Sequence, residues 1–419
     1  MDKNILKDII LRQQALVTSI PFVERNYALE MEANYVLVGL RRAGKTYLLY
    51  QHIHRLLQSG VRKEQILFLN FEDERINTMR ADELHQVLQA YEELFPLQPY
   101  IFLDELQNIA GWEHFARRLA DEKYRVFITG SNAHMLSRDI ASTLGGRYLM
   151  KEVFPFSFEE TLRYHHQPLS RNWAFGTERN DVRRFFNDYF YYGGLAEGFP
   201  MTDKRAYLTG LYQKILLSDI VVRNGIRNER ALNLLVKRLA DSVLQPVSVN
   251  RLQNVLSGIG QRISREKIND FLAYLHDAYL TFSLTNLTNE DGEREGTKKH
   301  YFYDNGILNL FLYQPEPKLL ENMVALTLYQ KYASRLLFYR RNIEVDFITP
   351  DGNAIQVCYS MGDSTTAERE LSALVSLNNF RPMRTNTIIT MDEESSVTRD
   401  GLTISVIPVW KWLLMPLDA

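Results

Sequence analysis

The chain has a single cysteine, Cys358, among 419 residues, so it cannot form an internal disulfide. That scarcity fits a reducing compartment, and a cytoplasmic location is expected. No apolar run reaches the ~18 residues of a membrane-crossing helix, so no membrane span is expected. An excess of one charge is also missing. Lys and Arg total 49 against 51 Asp and Glu, a net charge of −2, which leaves no global pull toward nucleic acid or a lipid surface. Any such contact must come from a local patch. The nine histidines are scattered and none is spaced with the cysteine as a metal ligand; His165-His166 reads as a solvated pair. Residues 1–8 read as the start of an amphipathic helix and not as a signal peptide. The length and the ordinary apolar and charged content describe a globular chain of two to four domains.

Against these absences stands one motif with a mechanism. Gly39-Leu40-Arg41-Arg42-Ala43-Gly44-Lys45-Thr46 reads G-x-x-x-x-G-K-T. A glycine-rich turn lets backbone N–H groups close around phosphate oxygens, and the following helix points its positive dipole end at the same place. Lys45 would reach the β- and γ-phosphates and Thr46 would bind Mg²⁺, with Tyr47 next in the helix. Tyr35-Val36-Leu37-Val38 is a buried-strand pattern before the loop. A helical pattern runs from Thr46 to Leu57 and closes at Gly60.

A second element lies at a suitable distance. Tyr100-Ile101-Phe102-Leu103-Asp104-Glu105 is an apolar strand ending in two carboxylates. Asp104 would hold the Mg²⁺ shell and Glu105 would polarise the attacking water; the plainer alternative is a buried strand that ends in solvated acids. A third strand, Arg125 to Thr129, runs into Gly130-Ser131-Asn132. Asn132 or Ser131 would sense the γ-phosphate there, or Asn132 simply caps the next helix.

Four regions follow. Residues 1–156 hold an N-terminal helix, which either covers the base or only packs, and then strands and helices in alternation. The strands are placed at 35–38, 66–71, 100–104, 125–129 and 148–153, and the helices at 45–58, 81–94, 112–121 and 133–140. Alternation of this kind argues for a parallel sheet covered on both faces, with the ligand at the carboxyl ends of the strands. Residues 157–225 read as helices around the turn Tyr192-Gly193-Gly194, a lid over the nucleotide or a connector bundle. Residues 226–304 read as three helices and a β-hairpin, a winged helix. The helix from Ser264 would offer Arg262, Arg265, Lys267 and Asn269 to duplex DNA, with Lys298 and Lys299 supporting the wing. Glu290, Asp291, Glu293 and Glu295 at the wing tip argue against phosphate grasping there, and contact with a protein partner is the alternative.

Residues 305–419 run helix, three-stranded meander with a Pro350-Asp351-Gly352 turn, helix, strand, strand. This order matches the core of restriction-endonuclease-like nucleases, whose site needs an Asp, then an acid-x-Lys on the next strand, with a helical Glu nearby. Glu321 and Asp346 fill two places, but the third reads Gln356-Val357-Cys358. Neither an amide nor a neutral thiol replaces the missing charges, so the domain is expected to keep the fold without cleavage.

Taken in order, the chain resembles the prokaryotic predicted AAA+ ATPases that carry a C-terminal nuclease-like domain of unknown function. The resemblance rests on Val38 to Thr46, Phe102-Leu103-Asp104-Glu105-Leu106-Gln107, Ile128 to Asn132, Leu144-Gly145-Gly146-Arg147, Tyr191-Tyr192-Gly193-Gly194, Asp219-Ile220 and Glu344-Val345-Asp346-Phe347. It implies an α/β, P-loop AAA+ type parallel sheet with a helical lid, then a winged helix and a restriction-endonuclease-like domain. It also places Arg147 where such proteins often carry an arginine finger for a neighbouring subunit, with an arginine paired inside its own chain as the alternative; both a homo-oligomer, as in AAA+ rings, and a monomer, as in related switch ATPases, stay open. The chain departs from the family pattern at Gln356, at Cys358 and in Gly194-Leu195-Ala196-Glu197, where a proline is usual. Two functional classes remain: an ATP-hydrolysing switch coupled to DNA or protein binding, and a non-hydrolysing nucleotide-bound adaptor.

Overall fold

The computed structural model describes residues 2–287 and 296–415, apart from the side chains of Leu136 and Arg138. The acids expected at the wing tip lie outside the described residues. The chain forms two compact units: Met1–Phe154 with Asp277–Tyr279, and Pro155–His276 with Leu280–Ala419.

The first unit is built on five strands, β1 (Tyr35–Val38), β2 (Ile66–Asn70), β3 (Tyr100–Asp104), β4 (Arg125–Gly130) and β5 (Leu149–Glu152). They lie in the order β2-β3-β4-β1-β5, all parallel. β1, β3 and β4 are almost wholly buried, because parallel strands are covered by helices on both faces. The unit's helices are α1 (Lys3–Val17), α2 (Lys45–Gln58), α3 (His85–Glu92), α4 (Trp112–Asp121) and α5 (Arg138–Leu144). Two expected helices are shorter. The 81–94 segment opens with a 3-10 turn, Ala81–Glu83, before α3. The 133–140 segment is a 3-10 turn, Ala133–Leu136, separated from α5 by Ser137, which leaves helical geometry and accepts the Ile140 N–H on its hydroxyl.

The second unit opens with helices α6 (Phe158–Tyr164), α7 (Glu178–Tyr192) and α8 (Lys204–Lys214), the last continuing as a π-helical stretch, Ile215–Val222. α7 ends at Gly193-Gly194 for a packing reason. Gly193 has φ +75° and a β-carbon there would lie 2.1 Å from the Asp304 carboxylate; one on Gly194 would lie 2.2 Å from the Phe156 carbonyl. The Gly194 N–H donates to Asp304 Oδ2 at 2.9 Å.

Helices α9 (Glu229–Asp241), α10 (Val249–Gly258) and α11 (Arg265–Asp277) follow, with a two-residue strand β6 (Val247–Ser248) and the hairpin β7 (Thr281–Asn286) and β8 (Thr297–Phe302). Ser248 and Ser264 cap α10 and α11 by accepting the N–H groups of Arg251 and Lys267. Next come α12 (Asn305–Asn309), α13 (Glu316–Tyr332), β9 (Leu337–Arg340), β10 (Glu344–Ile348), β11 (Asn353–Val357), α14 (Ser364–Phe380), β12 (Thr385–Thr390), β13 (Ser395–Arg399), β14 (Leu402–Pro408) and α15 (Val409–Trp412). The hairpin does not stand apart. β7 pairs in parallel with β9, so one nine-stranded sheet, β13-β14-β12-β11-β10-β9-β7-β8-β6, runs across the boundary expected at residue 304. β13 was not anticipated. Its Ser395-Ser396-Val397-Thr398-Arg399 is polar and largely exposed because it forms the sheet edge beside β14.

One core residue sits at a cost. His52 on α2 is 2% exposed, packs 4.3 Å from the Phe127 ring, and has no hydrogen-bond partner for either ring nitrogen. Burial, then the Arg55 charge, lowers its pKa to about 4. The folded state therefore takes up its proton at lower pH than the unfolded chain, and stability falls as pH drops from about 6.5 toward 4. Between pH 7 and pH 5 this group should remove about 2 kcal/mol. Urea unfolding of His52→Leu at both pH values should show a loss smaller than wild type by about that amount.

Candidate functional site

The loop after β1 is shaped by two glycines. Gly39 has φ +149°, and a β-carbon there would lie 2.1 Å from the Val153 carbonyl oxygen; Gly44, at φ +91°, precedes α2 directly. Arg42 also takes a left-handed φ of 67°. Leu40 and Ala43 are buried, and the Ala43 N–H donates to the Leu40 carbonyl at 3.1 Å. Arg41 pairs with Glu72 at 2.9 Å, and Tyr47 is half exposed against the edge of Tyr50.

Lys45 is buried inside the loop it closes. Its Nζ donates to the carbonyls of Gly39 (3.0 Å) and Leu40 (3.1 Å), and lies 3.9 Å from Glu105 Oε1. The Thr46 hydroxyl donates to the Asp104 carboxylate at 3.0–3.1 Å, and the Thr129 hydroxyl does so at 2.6 Å. Burial first, and then the Glu105 charge, push the Asp104 carboxyl upward; the two hydroxyls and the Lys45 ammonium pull the other way. Burial likewise opposes the charge on Glu105, but Lys45, Gln107 and Arg41 outweigh it and hold that carboxyl below its ordinary range. Glu105 is also left-handed at φ +53°, with its N–H donated to Thr129 Oγ1 at 2.9 Å. A left-handed non-glycine backbone costs free energy, and here it stands at the carboxyl end of an interior strand.

These residues fit a magnesium nucleotide. Hydroxyl and carboxylate oxygens of Thr46 and Asp104 stand side by side, the hard donors Mg²⁺ prefers, below a glycine loop that closes on a buried ammonium.

Residues 32–162 match a family described as "AAA domain", and residues 183–318 one described as "Domain of unknown function". An uncharacterized protein of Methanocaldococcus jannaschii is 30% identical, the match spanning 99% of this chain and 96% of the other. The chain belongs to that protein's family and carries an AAA domain. An uncharacterized protein of Haemophilus influenzae is 28% identical over 97% of this chain and 99% of its own. Among solved structures, a Walker-type ATPase of Pyrococcus abyssi is 14% identical over 74% of this chain and 95% of its own, with a TM-score of 0.41. The Aeropyrum pernix ORC1 protein, in complex with DNA, is 17% identical over 77% and 92%, with a TM-score of 0.30.

Two further positions in the AAA domain are occupied locally. The Asn132 side chain accepts the His134 N–H at 2.7 Å and so caps the 3-10 turn; buried Ser131 is the one that meets the site, 3.3 Å from Gln107 Nε2. Arg147 is paired within its own chain, to the Asp121 carboxylate and to the Gly145 carbonyl. Sequence reasoning missed Arg25. This buried guanidinium donates to the carbonyls of Ala43 (2.8 Å) and Phe154 (3.0 Å), tying the phosphate loop to the chain after β5. Nothing local in the sequence marks it, because the contact joins residues far apart in the chain.

In the second unit the structure corrects the reading of Lys299. It does not serve the wing surface: it is fully buried, with Nζ 2.8 Å from Asp346, 3.1 Å from Glu344 and 3.2 Å from Glu321. Burial works against this charge, but the Asp346 and Glu321 carboxylates keep the ammonium protonated. Asp346 Oδ2 accepts the Val357 N–H; Gln356 accepts the Asp346 N–H at 2.7 Å and donates to Glu370 at 2.6 Å. Cys358 packs in the core between α14 and the sheet. These carboxylates border a cleft of about 820 Å³ that Arg340, Arg341 and Arg369 also line. Lys299→Met would leave the buried carboxylates unpaired and should cost about 3–5 kcal/mol, against less than 1 for Lys298→Met. Limited proteolysis should show the second unit opening in the first variant and not in the second.

Proposed function

We propose that the chain binds and hydrolyses ATP with Mg²⁺ and works as a nucleotide-dependent switch, its second unit serving as the docking part. The observation that carries this reading is the placement of Glu105, a strained carboxylate held 3.9 Å from Lys45 and directly after the Asp104–Thr46 pair. Lys45 would hold the terminal phosphates, Thr46 and Asp104 would hold the metal, and Glu105 would accept the proton of the attacking water. Bound Mg²⁺ would neutralise charge developing on the phosphates. The Arg147–Asp121 pair supports a role for Arg147 inside its own chain. Mixing Arg147→Ala with Lys45→Ala subunits is then expected to restore no turnover.

The order of helix, short strand, two helices and hairpin in residues 229–302 supports the winged-helix reading. Arg262, just before α11, and Arg265 and Asn269 in its first turns are exposed toward duplex DNA, Arg265 also donating to Gln253 at 3.3 Å, while Lys299 is withdrawn. The occupied carboxylates around Lys299 support a nuclease-like C-terminal fold that does not cleave; Mg²⁺-dependent cutting of DNA lost in Asp346→Ala would overturn that.

The test is ATP turnover by purified protein, with and without duplex DNA. Turnover should vanish in Lys45→Ala and fall at least a hundredfold in Glu105→Gln, which should still bind ATP. Stimulation by DNA lost on combined Arg262→Ala and Arg265→Ala substitution would establish the coupling. Turnover indifferent to DNA would point to a protein partner, and binding without turnover to a nucleotide-bound adaptor.

A further inference from the structure

One side chain beside Glu105 has no part in the scheme above. Gln107 lies in the 3-10 turn Leu106–Asn108. Its Nε2 donates to Glu105 Oε2 at 2.5 Å and reaches Ser131 Oγ at 3.3 Å. Its Oε1 is buried without a hydrogen-bond partner, an arrangement that costs free energy wherever it occurs. Gly130 leaves room for the Met135 sulfur and for the amide together, since a β-carbon there would lie 1.9 Å from Met135 Sδ and 2.6 Å from that same Oε1. The amide thus sits beside Met135 in an orientation that satisfies the carboxylate and leaves its own oxygen unsatisfied.

The two oxygens of Glu105 are treated differently. Oε2 is held by Gln107, whereas Oε1 stops 3.9 Å from Lys45 Nζ, short of a hydrogen bond. Lys45 is the nearest full positive charge, and both groups are buried, so their attraction is poorly screened. A carboxylate free to rotate would close that gap. Such closure would spend the ammonium on Glu105 and take it from the phosphates.

We propose that Gln107 is a positioning residue that holds the Glu105 carboxylate off Lys45, so that the ammonium, which donates to the Gly39 and Leu40 carbonyls, is not also drawn to Glu105 in competition with phosphate, and the carboxylate stays turned toward water. It acts through Glu105, and its contact with Ser131 ties that restraint to the end of β4. The inference rests on the nucleotide-site reading and predicts something that reading alone does not: loss of Gln107 weakens nucleotide binding only while residue 105 carries a charge.

The test is a double-mutant cycle read by equilibrium binding of a fluorescent ATP analogue with Mg²⁺, in the full chain. Gln107→Ala should weaken binding about tenfold, equivalent to about 1.4 kcal/mol. The Gln107→Ala, Glu105→Gln pair should bind within about threefold of Glu105→Gln alone, because a neutral amide does not compete for Lys45. In turnover, Gln107→Ala should raise KM and lower kcat together, and Gln107→Asn, with the same amide on a shorter stem, should recover only part of either. Unchanged binding in Gln107→Ala overturns the proposal. So does a loss that persists in the double variant, since that marks a structural role. A wild-type chain that does not bind the analogue, or binds it equally well after Lys45→Ala, overturns the nucleotide-site reading and this inference with it.

Discussion

The Asp104 carboxylate is where the first unit's site is joined. It sits at the end of β3, takes a hydroxyl from Thr46 at the start of α2 and another from Thr129 near the end of β4. Three elements far apart in sequence are thus held at one point by hydrogen bonds to a buried carboxyl group. In a low-dielectric setting such bonds are strong when all are made and costly when one is missing. The position of the phosphate loop relative to Glu105 follows from this junction, since Thr46 fixes the beginning of α2 and the Thr129 hydroxyl also accepts the Glu105 N–H. Arg25 supports the same loop from its other side through the Ala43 carbonyl.

The second unit depends on a junction of the opposite sign. There a buried ammonium, Lys299 on β8, gathers carboxylates from α13 and β10. Because β8 belongs to the hairpin and β10 to the meander, the cluster pins together two parts that the sequence suggests are separate modules. The parallel pairing of β7 with β9 makes the same connection through the backbone. Hairpin and meander therefore share one sheet.

The fold of the first unit was largely legible because its signals are local. Gly39 and Gly44 announce a turn with unusual φ values, and apolar runs such as Ile101–Leu103 are short enough to be strands and end in polar residues. The spacing of Asp104 and Glu105 after such a run carries its own chemistry. Less was visible where the decisive contact is distant or where polarity misleads. Arg25 reads as an ordinary charged residue, yet it is buried against carbonyls from two other segments. Lys299 sits beside Lys298 in a polar stretch, and strand alternation alone does not say which of two neighbours turns inward. Gln107 lay inside a recognised motif, but only the left-handed turn at Glu105 reveals that its amide folds back on the carboxylate. The edge strand β13 lacked the apolar pattern that marks an interior strand.

The burial of Cys358 has a practical consequence. Its thiol packs against α14 and the sheet and donates to the Ser360 carbonyl, and burial raises its pKa to about 11, so very little thiolate forms near neutral pH. The native thiol is therefore a poor nucleophile near neutral pH, although it borders the cleft lined by Asp346 and Glu370. A cysteine introduced at an exposed position such as Phe175 or Tyr313, which are 88% and 95% exposed, would take a maleimide dye faster than Cys358 does. The surroundings of those two positions can thus be read by single-site fluorescence.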